Sequence, residues 1–171
     1  VQLRKAILED GKKHIIFVDD FIGTGSKMKK FLTCDLFPDA NTYGFQKITD
    51  LLSEFSSDVD FNIAVYAICK QGFQNINGEY NQISLYFGDY YDEQYDLLSS
   101  NCIFYDLFEA ERNTLIQYIS KKQKELNGEN PYALNLSIGF THGCPNNTLA
   151  LYYKTNETWV GLLKETHPSN Q

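Results

Sequence analysis

A short apolar run that ends in two acids and a glycine-rich turn restricts the fold of this chain more than any other feature. The run covers Ile15–Val18, and Asp19–Ser26 follows it directly with the order Asp-Asp-Phe-Ile-Gly-Thr-Gly-Ser. An unbroken apolar run bounded by Gly11 and by the acids is typical of a central parallel strand that is buried on both faces. A short helix is predicted after the turn, from Ser26 to about Leu32. The segment therefore predicts a strand, a tight turn and a helix in succession.

A second helix and a second strand follow in the order that a parallel sheet requires. Residues 33–42 contain proline, aspartate and asparagine and are predicted to form a loop. Apolar residues recur at helical spacing over 44–55, and 61–69 is an apolar segment that predicts another buried strand. Strand, loop, helix and strand form a βαβ unit, whose right-handed crossover makes the two strands parallel. With a further helix predicted over residues 1–10, this half of the chain belongs to the α/β class.

The second half of the chain indicates an antiparallel addition to that sheet. Residues 109–126 predict a long helix, and 134–141 alternates strictly between apolar and polar residues, which predicts a half-buried strand. Further strands are predicted at 83–87, 102–104, 148–154 and 158–163, and 88–100 is predicted to be a loop or an irregular helix. The expected fold is therefore α/β: one domain over residues 1–171, with a parallel sheet flanked by helices and an antiparallel C-terminal extension.

Charge and apolar patterning narrow the class of ligand. The chain has 22 acidic and 15 basic residues, which give a net charge of −7. Nucleic-acid binders present a basic face to phosphates, so general nucleic-acid binding is not expected. A small anionic ligand is compatible with this charge, because backbone N–H groups bind phosphate without a net positive charge. No apolar run approaches the ~20 residues that span a bilayer. The four widely spaced cysteines indicate reduced, packed thiols, so we expect a cytoplasmic protein.

The turn after the first strand has the chemistry of a phosphate site. In open α/β sheets, ligands bind beyond the carboxyl ends of the strands, where Asp19 and Asp20 are predicted to lie. The glycines let the backbone approach a ligand, and the start of the next helix directs N–H groups and the positive end of the helix dipole to the same place. The carboxylates would accept hydrogen bonds from sugar hydroxyls or help to hold Mg²⁺. Two alternatives are a purely structural strand-to-helix turn and another nucleotide- or phosphate-binding fold.

Residues 15–26 resemble the signature of the type I phosphoribosyltransferases, which is an apolar strand, two acids, two apolar positions and a Thr-Gly-rich turn. The resemblance implies a phosphoribosyltransferase-like sheet in which Asp19 and Asp20 bind the ribose hydroxyls of phosphoribosyl diphosphate, with Mg²⁺ as the cofactor. It implies that Thr24, Gly25 and Ser26 bind the 5-phosphate. The other members of the expected ligand-binding loop are Phe21, Ile22, Gly23 and Lys27.

The chain departs from that family in two ways. The family usually has a threonine at the position of Lys27, and a lysine can pair with phosphate but lacks the short hydroxyl donor. The family also places a diphosphate-binding loop ahead of the signature, whereas only fourteen residues precede Ile15 here. We therefore expect this chain to lack N-terminal elements of the full fold and to show little transferase turnover by itself.

A second segment, Phe140–Leu149, resembles a bacterial group of phosphoribosyltransferase-like proteins associated with conflict and phage-defence loci. It contains Pro145-Asn146-Asn147-Thr148-Leu149, and that group also tends to have the Asp-Asp-Phe-Ile-Gly-x-Gly form of the loop. We expect Asn146 and Asn147 to contribute to the ligand pocket. The alternative is that these side chains cap their own backbone in an Asx-type turn. Of the three histidines, only His142 lies near these candidate residues.

Two functions of different kinds follow from these resemblances. The chain is either an enzyme that transfers or cleaves a phosphoribosyl group with Mg²⁺, or a non-catalytic nucleotide-sensing or effector module of a bacterial conflict system. Both functions require binding of phosphoribosyl diphosphate or of a nucleotide through its 5′-phosphate. Both are compatible with a protein partner or a homo-oligomer.

Overall fold

The computed structural model describes residues 3–39, 44–102, 105, 111–127, 136–137 and 148–162. The chain divides into two compact units, Val1–Tyr90 and Tyr91–Gln171. The single domain expected over residues 1–171 stays a prediction. Within the described ranges, no helix combines the length and the apolar character needed to cross a membrane.

The N-terminal unit alternates strands and helices around one parallel sheet. Its elements are α1 (Leu3–Leu8), β1 (His14–Ile22), α2 (Ser26–Thr33), β2 (Leu36–Asp39), β3 (Gly44–Gln46), α3 (Ile48–Phe55), β4 (Asp60–Cys69), α4 (Lys70–Glu79) and β5 (Ile83–Tyr91). The main sheet has the order β1-β4-β5, and β1 pairs with β4 in parallel with Val18 opposite Ala64. The strands β2 and β3 form a separate antiparallel pair. A three-stranded parallel sheet flanked by helices confirms the predicted α/β class.

The core of this unit lies between the sheet and the helices. Leu32 of α2, Leu51 of α3 and Ile76 of α4 are fully buried, and they belong to one cluster with Phe61 and Ile63 of β4. On α3, the buried residues Ile48, Leu51 and Leu52 are three and four residues apart, which is the spacing that places apolar side chains on one face of a helix. The sheet face that carries Ile63 is therefore the packed face.

The prediction that β1 is a central strand buried on both faces is wrong. In the sheet of the described residues, β1 is an edge strand with β4 as its neighbour. Its side chains alternate: Ile15 is buried, whereas Ile16 is 60% and Val18 79% exposed. Successive side chains of a strand point to opposite faces, and the packed helices of this unit contact only one of them. An apolar run alone does not distinguish one covered face from two.

Three further differences from the sequence prediction concern local elements. The predicted loop over 33–42 contains β2, and the predicted helix over 44–55 begins only at Ile48 after the short strand β3. The Asp50 carboxylate accepts a hydrogen bond from the Lys47 backbone N–H at 3.2 Å, which determines where α3 begins. The helix α4 was not predicted, because its ten residues include Gly72 and Gly78 and carry few apolar side chains.

The C-terminal unit has fewer regular elements in its described part. It contains a short 3-10 helix (Glu93–Tyr95), α5 (Arg112–Asn127) and α6 (Ala150–Tyr153). The long predicted helix is confirmed as α5, whereas the strand predicted over 148–154 is wrong, because 150–153 is helical. Isolated bridges join Leu136 to Asp96 in antiparallel and to Thr148 in parallel orientation. Most of the strand predicted over 134–141, and residues 103, 104 and 163, lie outside the described residues.

Candidate functional site

The predicted ligand loop follows the carboxyl end of β1. Asp19 and Asp20 lie inside β1, which continues to Ile22, rather than just after the strand. Gly25 precedes the first residue of α2 with φ 84° and ψ −5°. Because a side chain strains the backbone at such a positive φ, glycine is the residue that fits there. The loop thus turns from strand to helix over only three residues, 23–25.

The helix α4 supports this loop through very close backbone contacts. A Cβ atom added to Gly72 would lie 2.3 Å from the carbonyl oxygen of Gly23 and 2.7 Å from Cγ2 of Ile22. The Asn75 side-chain amide donates a hydrogen bond to the carbonyl oxygen of Thr24 at 2.9 Å. Neither Gly72 nor Asn75 was among the predicted site residues. No local pattern in the sequence marks them, because their importance comes from a contact with a segment about 50 residues away.

The hydroxyl groups of the loop gather at the start of α2. Oγ1 of Thr24 lies 3.0 Å from Oγ of Ser26, and the Ser26 backbone N–H donates to the same Thr24 oxygen at 3.4 Å. The first turn of α2 contains no acidic residue. Backbone N–H groups and the helix dipole favour an anion at such a helix start. Thr24, Gly25 and Ser26 therefore supply hydrogen-bond donors of the kind that bind a phosphate group.

The two carboxylates of β1 have different surroundings. The side chain of Asp19 is 22% exposed, and both of its oxygens lie 3.1 Å from Nζ of Lys27. Oδ1 of Asp19 also accepts a hydrogen bond from the Asp20 backbone N–H at 3.1 Å. Partial removal from water raises the pKa of Asp20, but hydrogen bonding with Asp19 and with backbone N–H groups and the charge of Lys27 prevail and hold that pKa below its ordinary value. The Asp20 side chain is therefore a negatively charged acceptor at neutral pH.

A cluster of aromatic rings joins the start of α4 to the carboxyl end of β5. Phe73, one residue after Gly72 on α4, has ring-centroid distances of 5.8 Å to Phe87 and 6.0 Å to Tyr90 on β5. In the C-terminal unit, Tyr91 and Tyr95 form a separate edge-to-face pair at 4.9 Å. The segment 88–100, which was predicted to be a loop or an irregular helix, thus begins as a strand and continues into the short 3-10 helix, and two of its tyrosine rings pack on each other.

The second predicted motif is described only at its end. Thr148 and Leu149 are fully buried, and the Leu149 backbone N–H donates to the carbonyl oxygen of Leu136 at 3.2 Å. The side-chain carbonyl of buried Gln123 on α5 accepts a hydrogen bond from the Ala150 backbone N–H at 2.7 Å. This end of the motif is therefore an anchor in the core of the C-terminal unit.

The remaining candidate residues of the second motif, Asn146, Asn147 and His142, lie outside the described part of the chain. Their contribution to a ligand pocket stays a prediction. Among the residues whose positions are described, no group of three or more His, Cys, Asp or Glu side chains forms a metal cluster.

The chain matches the PRTase-CE family over residues 1–164. No curated protein matches it significantly. Among solved structures, it is similar to the AQ2163 protein from Aquifex aeolicus at 15% sequence identity, with a TM-score of 0.31. That similarity covers 47% of this chain and 31% of the other, and it carries no functional argument. The family match covers nearly the whole chain and includes the loop after β1: the chain belongs to the PRTase-CE family, a phosphoribosyltransferase-like family.

Proposed function

We propose that this chain binds phosphoribosyl diphosphate or a nucleoside 5′-monophosphate at residues 19–26. One observation carries the proposal: the left-handed Gly25 brings the start of α2, with the hydroxyls of Thr24 and Ser26, next to the strand end that carries two carboxylates. Hydrogen-bond donors for a phosphate and carboxylates that can accept hydrogen bonds from hydroxyl groups are therefore only a few residues apart. This is the pair of functions that a ribose 5-phosphate needs.

Each part of the loop has its own role in this proposal. The hydroxyls of Thr24 and Ser26 and the first N–H groups of α2 bind the 5-phosphate. Asp20, which is exposed and ionised, accepts hydrogen bonds from the ribose hydroxyls, and Asp19 assists from the packed side of the strand. The buried Ile22 anchors the loop to the core, and Gly72 and Asn75 of α4 hold its backbone in place.

The family resemblance implies Mg²⁺, and the donor set fits it in a limited way. Mg²⁺ is usually bound by one or two carboxylates together with substrate phosphates and water. Asp19 and Asp20 supply two neighbouring carboxylates, and the described residues contain no third acid beside them. When bound, the ion would neutralise negative charge on a diphosphate. We therefore propose that Mg²⁺ enters with the ligand and strengthens binding of phosphoribosyl diphosphate more than that of a monophosphate.

Calorimetry on the full chain tests the proposal. We expect binding of phosphoribosyl diphosphate with Mg²⁺, and we expect an Asp19→Asn/Asp20→Asn variant to lose about ten- to a hundredfold in affinity, since a hydrogen bond to a charged group contributes about 1.5–3 kcal/mol. Asp58→Asn/Asp60→Asn is the matched control, because it also removes two carboxylate charges, at the amino end of β4 opposite the loop. Equal affinity of the double variant and the wild type would exclude the ribose role of the two acids. No binding of any phosphorylated ribose would contradict the proposed function.

A second candidate is a nucleotide-sensing or effector module without catalysis. The observation in its favour is that the Lys27 ammonium lies 3.1 Å from both oxygens of Asp19 and so covers one of the two loop carboxylates. The two candidates differ in turnover, since only the enzyme releases diphosphate from phosphoribosyl diphosphate. Binding without diphosphate release, tested with the common nucleobases, supports the module, whereas rapid release supports the enzyme.

A further inference from the structure

The Lys27 side chain forms an ion pair with both oxygens of the Asp19 carboxylate. Its Nζ atom lies 3.1 Å from Oδ1 and 3.1 Å from Oδ2, so one ammonium group covers both carboxylate oxygens. The lysine side chain is 80% exposed, whereas that of Asp19 is 22% exposed. The ammonium therefore lies on the solvent side of a carboxylate that is otherwise mostly enclosed.

This contact is specific to Lys27 and is not a general property of the cations on α2. Lys27 is the second residue of α2, where a positive charge opposes the helix dipole. Lys29, two residues further along the same helix, pairs instead with Glu79 of α4. The charge of Lys27 at the start of the helix is thus balanced by the Asp19 carboxylate, with a further attraction to Asp20.

We propose that Lys27 acts as a cation of the loop itself and competes with a divalent metal ion for the Asp19 carboxylate. Mg²⁺ binds oxygen at about 2.0–2.1 Å and demands a nearly octahedral set of ligands. The ammonium occupies the side of the carboxylate that faces both oxygens, and the Asp20 backbone N–H takes a further position on Oδ1. A divalent ion on Asp19 therefore has to displace Lys27 or bind beside its positive charge. Mg²⁺ then reaches the loop through Asp20 and through the phosphates of the ligand.

The route by which Mg²⁺ binds together with the ligand rests on the proposed function. The competition between Lys27 and a divalent ion for Asp19 does not. Replacing Lys27 by threonine, the residue that related loops usually have, uncovers Asp19 and removes the competing charge. The full chain should then bind a divalent ion more tightly even when no phosphorylated sugar is present. Exposed ion pairs are weak, so we expect a gain of about two- to fivefold in affinity.

Binding of Mn²⁺, a spectroscopic substitute for Mg²⁺, measures this gain through the electron paramagnetic resonance of the free ion. Four proteins are compared in the absence of sugar: wild type, Lys27→Thr, Lys29→Thr and Lys27→Thr/Asp19→Asn. We expect Lys27→Thr to bind Mn²⁺ two- to fivefold more tightly than Lys29→Thr, which loses the same charge from the same helix. We expect the gain to disappear in the double variant, because it depends on the Asp19 carboxylate.

Two results would overturn the proposal. Equal Mn²⁺ affinity of Lys27→Thr and Lys29→Thr would show that only net charge matters, and a gain that persists with Asp19→Asn would show that the ion binds elsewhere. Circular dichroism of each variant confirms that it is folded. A separate titration with phosphoribosyl diphosphate tests the proposed function. If that ligand does not bind, the Mn²⁺ titration still tests whether Lys27 competes with a divalent ion.

Discussion

The two units of this chain organise their cores differently. The cluster in the described part of the N-terminal unit has sixteen buried residues: fourteen lie in three strands and four helices, and Val59 and Tyr80 lie just outside these elements. The cluster in the described part of the C-terminal unit has three buried members, Ile119, Leu149 and Leu151, surrounded by partly buried neighbours. The first unit supports a tight loop by backbone-to-backbone packing. The second anchors a motif by hydrogen bonds that the backbone N–H groups of Leu149 and Ala150 donate to the Leu136 carbonyl oxygen and to the Gln123 side chain of α5. The comparison shows that a regular βα order gives a loop the more rigid support.

The largest difference between paired variants is expected at the contact between α4 and the loop. Gly72→Ala should lower the free energy of unfolding of the N-terminal unit by about 2–3 kcal/mol, because the added Cβ would overlap a backbone oxygen that cannot move without the strand. Gly78→Ala on the same helix has nothing within 4 Å of the new Cβ. It should raise stability by about 0.5–1 kcal/mol, since glycine weakens a helix. Denaturant unfolding of both variants measures the difference.

The stabilities of Gly72→Ala and Gly78→Ala test whether the N-terminal unit supports its loop more rigidly than the C-terminal unit supports its motif. If Gly72→Ala and Gly78→Ala have the same stability, α4 does not press on the loop, and the rigid support that we assign to the N-terminal unit is absent. If Gly72→Ala loses stability but still binds the phosphate ligand normally, the support serves the fold and not the site.

A smaller difference between the two variants of a pair is expected when one leucine is truncated in each core. Leu51 and Leu149 are both fully buried. Leu51→Ala should cost about 4 kcal/mol, because its neighbours are themselves buried and cannot close the cavity. Leu149→Ala should cost about 2 kcal/mol, because the partly buried residues around it can move inward. Hydrogen exchange of peptides from each unit reports the two local losses separately. Equal losses would mean that the C-terminal core packs as rigidly as the other.

The smallest expected difference between the two units is in the reactivity of their cysteines, which is measured on the wild-type chain. Burial raises the pKa of Cys69 at the end of β4 to about 12, so at pH 8 its thiol stays protonated and does not attack an alkylating reagent. Cys34 is exposed and should react first. Cys102 is buried in the C-terminal unit and should react before Cys69 if that unit opens more easily. Mass spectrometry of iodoacetamide-treated protein gives the order, and labelling of Cys69 ahead of Cys102 would reverse our ranking of the two units.

Much of the N-terminal unit could be predicted from the sequence, because its signals are local. The apolar run before Asp19, the glycine at position 25 and the helical spacing after Ile48 each act over a few residues. The predicted strand at 61–69 and the helix from Ser26 are confirmed within one residue at each end. The C-terminal strand predicted at 148–154 failed because a short apolar stretch fits a strand and a helix turn equally well.

The amino-acid sequence by itself determined the order of strand, tight turn and helix, and with it the place where a phosphate ligand is expected. Turn chemistry and hydrophobic periodicity are properties of neighbouring residues, so they can be read without coordinates. Only the tertiary structure decided which face of β1 is covered, that α4 lies against the loop, and that Lys27 pairs with Asp19. The first two depend on segments far apart in the chain, such as Asn75 and Thr24, which are separated by 51 residues. The third depends on the direction that a long side chain takes once α2 has packed, which no local pattern specifies.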